Sequence, residues 1–375
     1  MSRFAVFLFS LLLALGATAP EAESPKLRAG SWQLAAASST LHRYESVEPH
    51  MGTLVKITVY ARDENAARTA FKAGFDRIRD LDDTLSDYRP GSELNDVTAA
   101  AVRRAVTVSR DLFTVLAASQ ALAAATEGAF DVTQGPVIRL WREARRTKQA
   151  PDDAALRAAA ERSGFRKLHL DAARRTVLLD DERMALDVGG IAKGYAASEA
   201  LDAIGRTGVR SALVAVSGDL AFSDAPPDAR GWRISLHDVP GEAAGVPAIA
   251  ELSNAAVSTA GKDEQHLDAG GRRYSHIIDP RSRMGLTEDL TVTVIARNGL
   301  AADGLDTAIS VLGVEKGLAL IDARADAVAL IVRRTPAGDE VLPSARFRSF
   351  IQERQGLKRQ SGGSEDPPGV VGPGL

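Results

Sequence analysis

The spacing of apolar and polar positions changes period several times along the chain, and each change marks an element. Leu54-Val55-Lys56-Ile57-Thr58-Val59-Tyr60 alternates with period two and is rich in β-branched residues, which predicts a strand. Over 65–83 the period lengthens: Ala67, Phe71, Phe75, Ile78 and Leu81 recur at three- and four-residue intervals, the mark of a helix with one buried face. Residues 109–126 predict a second apolar helix, and 167–170 with 176–179 a short strand pair. A helix over 192–204 and strands over 212–216 and 232–236 follow. Strands at 275–278 and 290–296, helices at 301–312 and about 315–322, and a strand at 327–332 complete the series. These elements interleave without the regular β-α-β-α rhythm of a doubly wound sheet, so the fold class is α+β with a mixed sheet. No tandem repeat of constant period is present.

The two ends follow a different pattern. Arg3 precedes an uncharged apolar run, Phe4 to Leu15, and the small residues Gly16-Ala17-Thr18-Ala19 come next. A dozen apolar residues are too few to span about 30 Å of hydrocarbon comfortably, so 1–22 is expected to be a signal peptide. An uncleaved anchor and a buried helix are the alternatives, and Pro20 leaves the cleavage point open. Residues 23–40 are expected to form a polar tether and 41–354 the folded domain. Residues 355–375, rich in Ser, Gly, Pro and Glu, are expected to form a disordered tail. Of the 375 residues, 45% are hydrophobic and 25% charged, as in a globular protein, and the net charge of −3 with no basic block argues against nucleic-acid binding. The chain has no cysteine, which excludes disulfides, thiolate metal sites, a cysteine nucleophile and a lipoprotein anchor. The expected location is therefore the periplasm or the outer face of the inner membrane, with membrane association possible.

Three segments carry candidate chemistry. In Asp187-Val188-Gly189-Gly190-Ile191-Ala192-Lys193-Gly194-Tyr195, a strand end runs through two glycines into a helix. Free amides and the positive end of the helix dipole suit an anionic group there, with Lys193 in reach, although the glycines could serve only the turn. The segment matches neither a Walker A loop nor GxGxxG. In Asp303-Gly304-Leu305-Asp306-Thr307, Asp303 and Thr307 lie four apart and share one helix face, a hard-oxygen pair suited to Mg²⁺ or Ca²⁺. Helix capping by Asp303 and a solvated Asp306 are the plainer readings. In Tyr274-Ser275-His276-Ile277-Ile278-Asp279-Pro280-Arg281, strand alternation places His276 with Ile278 and Ile277 with Asp279. His276 and Asp279 are candidates for general base and orienting acceptor, against a purely structural histidine. Tyr88, in the turn-rich Ser86–Asn95 segment, and Phe130 with Asp131 could face a planar ring, though core packing also explains isolated aromatics. No Gly-x-Ser-x-Gly elbow and no His-Glu-x-x-His is present, which removes those hydrolase classes.

Taken in order, these motifs resemble the ApbE family of FAD:protein FMN transferases: Met51-Gly52-Thr53, Ser86-x-Tyr88, Phe130-Asp131 with Gly135-Pro136, Asp187 to Tyr195, Ser217-Gly218-Asp219, Thr259-x-Gly261, His276 to Arg281 and Asp303-x-x-x-Thr307. The resemblance runs from about Glu45 to about Val332. It implies an α+β, T-fold-related architecture of two interlocked lobes with FAD in the cleft between them. It also implies that Met51, Tyr88, Ala129, Phe130, Asp131, Asp187, Lys193 and Ile278 bind FAD. Mg²⁺ would be held by the Gly190 carbonyl with Asp303 and Thr307, with Asp306 close by, and His276 and Asp279 would flank the pyrophosphate. The implied reaction cleaves FAD, joins FMN to a Thr or Ser hydroxyl of an exported or membrane redox protein, and releases AMP. FAD hydrolysis to FMN and AMP, or silent flavin binding, are the alternatives. Four positions depart from the family pattern: Ala260 and Lys262, in Thr259-Ala260-Gly261-Lys262 where Thr-Ser-Gly-Asp is usual, Arg283 where glycine is usual, and Ser217 where glycine is usual.

Overall fold

The strand expected at 54–60 belongs to an eight-stranded sheet. Its order is His42–His50, Thr53–Ala61, Ser211–Val216, Asp219–Phe222, Ala255–Gly261, Leu290–Ala296, Ala327–Thr335 and Gly338–Pro343. The computed structural model describes residues 40–102, 104–236, 238–239, 243–261 and 265–356. The expected signal peptide, nearly all of the tether, Lys262 and the tail beyond 356 lie outside the described residues. The helix Phe347–Gly356 runs past the expected start of the tail at 355. Among the described residues no helix is long and apolar enough to cross a membrane.

The α+β class holds, with one refinement. Every neighbouring pair in the large sheet is antiparallel, so that sheet is not mixed. Chain reversals account for this. Two-residue turns join three of the pairs, and the helical run after Leu290–Ala296 breaks at Gly313 (φ 75°), where the sequence predicts two helices. The chain thus returns to the end of the sheet it left, and Ala327–Thr335 enters antiparallel.

Both faces of the sheet are covered. The helices Glu64–Leu85, Ala192–Gly205 and Gly299–Asp322 pack on one face, where Ile57, Phe75, Ile78, Ile204, Val292 and Ile309 form a continuous core. The hairpin of Trp232–Ser235 with Ile249–Leu252 and the helix Phe347–Gly356 cover the other, with Leu213, Phe222, Trp232, Ile295 and Phe347 in contact. Burial on both sides explains why Ser211–Val216 shows no polar alternation. A second lobe is inserted between the second and third strands of the sheet. It contains the helices Arg110–Ala125 and Gly135–Thr147 and a three-stranded sheet of Val106–Thr107, Thr176–Leu179 and Leu168–Asp171. Its core, with Leu112, Leu116, Val177 and Leu186, also takes in Tyr195 and Ala308 from two of the sheet-packing helices, so the lobes interlock.

Those two helices touch backbone to backbone where Gly194 meets Gly299. A methyl group at either position would run into the other residue's carbonyl. Rigid backbone cannot yield as a flexible side chain can, so Gly194→Ala or Gly299→Ala should cost about 3 kcal/mol or more, the upper end of overpacking penalties. Gly205→Ala is the matched control, because a methyl there meets nothing within 4 Å. Denaturant melts of the three variants should separate the first two from the third; equal stability for all would refute this packing.

Candidate active site

The pairing of Val55 with Val216 brings two tight turns to the same end of the sheet. Met51-Gly52 turns with both residues at positive φ (50° and 69°), as in the hairpin turns that match strand twist, and Ser217 opens the second turn at φ 56°. Opposite them lie the Asp187–Gly190 loop leading into the Ala192–Gly205 helix and the first turns of Gly299–Asp322. Together with the 86–88, 129–134 and 276–280 segments of the chain, they enclose a cavity of about 450 Å³.

At one end of the cavity sits a buried acidic cluster. Asp303 lies one turn inside its helix, whose cap is Asn298 accepting from the Ala301 amide at 3.0 Å, so Asp303 is not the capping residue. Asp219, Asp303 and Asp306 are each 2% exposed, which rules out a solvated Asp306. Lys193 Nζ donates to Asp219 at 2.6 Å and lies 3.8 Å from Asp303, whose Oδ2 also accepts from the Gly194 amide at 2.9 Å. Burial works against the lysine's charge, but Asp219 and Asp303 outweigh it and raise its pKa. Burial first and then the Asp219 charge push Asp303 up to about 7. Asp306 is raised well above the ordinary range by burial and by both neighbouring carboxylates.

The Ser258 hydroxyl shows the consequence. Its oxygen is 2.5 Å from Asp219 Oδ1 and 2.5 Å from Asp306 Oδ2, yet it has one hydrogen to give. Without a metal, that geometry favours a proton on Asp306, whose carboxyl is raised by burial and by its neighbours. Thr307 and Gly190 complete the wall, and they pack so closely that a methyl on Gly190 would come within 3.1 Å of Thr307 Oγ1. The donor set is oxygen throughout. Among the described residues no three His, Asp or Glu side chains converge as a self-sufficient metal centre. That pattern fits Mg²⁺, which takes one or two carboxylates and fills its remaining positions with water and substrate phosphates.

His276 faces the cavity from another wall. The strand expected over 275–278 ends at Ser275, so alternation no longer decides orientation, and His276, Ile277 and Ile278 all line the cavity. The His276 amide donates to the Gln265 carbonyl at 3.0 Å, while Nδ1 is buried with no hydrogen-bond partner. Burial, then the charges of Lys193 and Arg145, hold its pKa at about 4, so the ring is neutral at physiological pH. Asp279 does not reach the cavity wall. Its carboxylate accepts from the Arg281 amide and Nε, both at 3.0 Å, and its main chain bonds to Arg283 and Met284. The expectation that Asp279 orients or replaces His276 is thereby corrected: it folds the loop that carries the histidine. In that loop Arg283 sits at φ 64°, a conformation that favours the glycine usual there.

The third wall is aromatic and cationic. Phe130 and Ala129 line it, and Ala129 shares an apolar floor with Ala260, Ile277 and Val311. Asp131 also lines the cavity, but its carboxylate is engaged within its own turn, accepting from the Thr133 amide at 2.8 Å and hydroxyl at 2.7 Å. Tyr88 is 53% exposed at the rim, and its hydroxyl donates to Asp82 at 2.9 Å. Asp187 accepts from the Gly189 amide at 2.9 Å and from Arg142 at 2.7 Å; Arg142 also bonds Asp87.

Of the residues singled out from sequence, all but Asp279 line one cavity. Several others in the cavity or directly behind its lining escaped sequence reasoning. Asp82 accepts from the Met51 amide at 3.2 Å as well as from Tyr88 and Ser86, tying the first turn to the rim. Its signal was present: a carboxylate on the apolar stripe of its helix, between Leu81 and Leu85. Ser258 sits in a fully apolar-looking strand, and Arg142 and Arg145 sit one turn apart on a helix not predicted at all, so neither carried a local cue.

A sequence model of the ApbE family matches residues 51–332. The FAD:protein FMN transferase of Klebsiella pneumoniae (strain 342) is 32% identical over 301 residues, covering 80% of this chain and 92% of that protein. A FAD:protein FMN transferase of Treponema pallidum (strain Nichols) is 31% identical over 296 residues, 75% of this chain and 82% of its own. Among solved structures, the flavinyl transferase ApbE of Pseudomonas stutzeri in its apo form superposes with a TM-score of 0.72 at 30% identity, covering 83% of this chain and 97% of that one. The flavin transferase ApbE of Vibrio cholerae gives 0.72 at 26% identity, over 82% and 99%. The interlocked α+β fold, the motif order and these likenesses agree: the chain belongs to the ApbE family.

Proposed function

We propose that this protein is an FAD:protein FMN transferase that joins FMN to a Thr or Ser hydroxyl of an acceptor protein and releases AMP. The observation that carries this reading is the placement of a neutral, unpartnered histidine and a buried hard-oxygen cluster in one cavity. FAD is the substrate. Asp303, Asp306, Thr307 and the Gly190 carbonyl would hold Mg²⁺, consistent with a buried cluster in which Asp303 and Asp306 are otherwise pushed toward protonation. A Mg²⁺ held by these residues would supply positive charge to offset that of the pyrophosphate. Phe130 and Tyr88 offer faces for the flavin, and Lys193 offers a positive charge beside the cluster.

His276 takes the proton from the acceptor hydroxyl as its oxygen attacks the FMN phosphorus. The bond from that phosphorus to the bridging oxygen breaks, its electron pair leaves with AMP, and a phosphodiester to the acceptor forms. A low apo pKa leaves the ring unprotonated and ready to accept, and the incoming pyrophosphate offsets Lys193 and Arg145, raising the histidine's basicity when it is needed. The chemistry of the leader favours an exported enzyme whose acceptors are exported or membrane-bound redox proteins. Incubation of purified protein with FAD, with and without Mg²⁺, followed by chromatography for AMP, tests the reading. Metal-dependent AMP release is expected; FAD that survives intact with both metal and acceptor present would refute it.

A further inference from the structure

The charges around the cavity do not all have partners. Arg142 is held between Asp87 and Asp187, and Lys193 between Asp219 and Asp303. Arg145, one helical turn beyond Arg142, also lines the cavity, and among the described lining residues it is the cation without a hydrogen bond or ion pair to the protein. His276 lines the same cavity, and its buried Nδ1 has no partner. A guanidinium offers five donors and stays charged, so leaving one half-buried and unmatched costs solvation with no return inside the protein. An anion entering the cavity would supply the missing partner.

We propose that Arg145 is the residue that anchors the diphosphate of the flavin dinucleotide beside His276, and so makes this cavity select FAD over flavins lacking phosphate. The proposal rests on the transferase reading and deepens it. A planar guanidinium matches two phosphate oxygens at once, which a lysine cannot do as well. Lining the same cavity as His276, it would hold the diphosphate beside the histidine, where the attacked phosphorus must lie. Burial and the neighbouring Arg142 lower the Arg145 pKa without discharging it, consistent with a site poised for an anion. Arg145 acts through phosphate position, so its signature is discrimination among ligands.

The test is equilibrium titration of the full protein, with Mg²⁺ and separately with EDTA, against FAD, ADP and riboflavin, for wild type, Arg145→Met and Arg145→Lys. Arg145→Met should weaken FAD and ADP by about 10- to 100-fold, as for loss of a charged hydrogen-bonding partner, and leave riboflavin unchanged. Arg145→Lys should recover part of the loss, and raising the salt concentration should weaken FAD less in Arg145→Met than in wild type. Equal weakening of riboflavin and FAD, or FAD binding within about twofold of wild type, overturns the assignment. Failure of the wild type to bind FAD at all would instead overturn the transferase reading.

Discussion

Replacing His276 with alanine should lower FMN transfer by about 10²- to 10⁴-fold, the contribution of a positioned general base, while FAD remains bound. The separation of the two effects follows from the site. His276 lines the cavity as a neutral ring, whereas on the proposed reading charge for the diphosphate would come from Arg145, Lys193 and the metal position. The pH profile carries a second, sharper signature. In the free protein burial, Lys193 and Arg145 hold the histidine at about 4. A bound diphosphate cancels part of that positive charge and raises its pKa. The acid limb of kcat should therefore lie at higher pH than the limb of kcat/KM, and His276→Ala should lose the limb in both. Coincident limbs, or a limb that survives the substitution, would show that another group takes the proton.

The second large effect concerns Asp303. Asp303→Asn should reduce metal-dependent AMP release by about 10³-fold, the scale of several kcal/mol of lost charge stabilisation. Its stability effect has a definite sign in the metal-free protein. The folded state holds a proton on Asp303 up to about pH 7, whereas the unfolded chain releases it near 3.8, the ordinary value for an aspartate. Stability from this group is thus present at low pH and is lost as pH rises from 3.8 toward about 7. Mg²⁺ competes with that proton, so its stabilising effect should grow with pH over the same interval. Melting temperatures with EDTA and with Mg²⁺, taken at about pH 5 and about pH 8, measure this directly. A Mg²⁺ effect independent of pH would mean that the metal does not bind at the proton-holding carboxylates.

Local sequence rules worked where an element is decided locally. The stripe from Ala67 to Leu81 became the Glu64–Leu85 helix, and the break between two helices fell at Gly313 because a left-handed residue cannot continue a helix. The four-residue spacing of Asp303 and Thr307 put both on the cavity because that helix does form. Failures came where tertiary packing decides. His42–His50 is a strand through its pairing with Thr53–Ala61, although its own residues alternate weakly. Gly135–Thr147 is helical although it opens on Gly-Pro, since proline is tolerated in a first turn. Strand alternation set Asp279 on the face opposite His276, but the strand ends at Ser275, and the Asp279 carboxylate turns to Arg281 in a loop that ties back on itself through the Ile278–Gly285 bridge. Ser258, like Arg145, was invisible because its importance lies in partners, or missing partners, far along the chain, whereas Asp82 was marked by its place on an apolar helix stripe.

The central claim is that the acidic cluster and His276 serve one transfer reaction. Intact-mass analysis of an exported flavoprotein acceptor, incubated with this enzyme, FAD and Mg²⁺ while AMP is quantified, tests it most directly. The account predicts FMN attached to one Thr or Ser of the acceptor, with one AMP released for each adduct. AMP with free FMN and an unmodified acceptor would make the protein a pyrophosphatase, and intact FAD with unmodified acceptor would contradict the chemistry altogether.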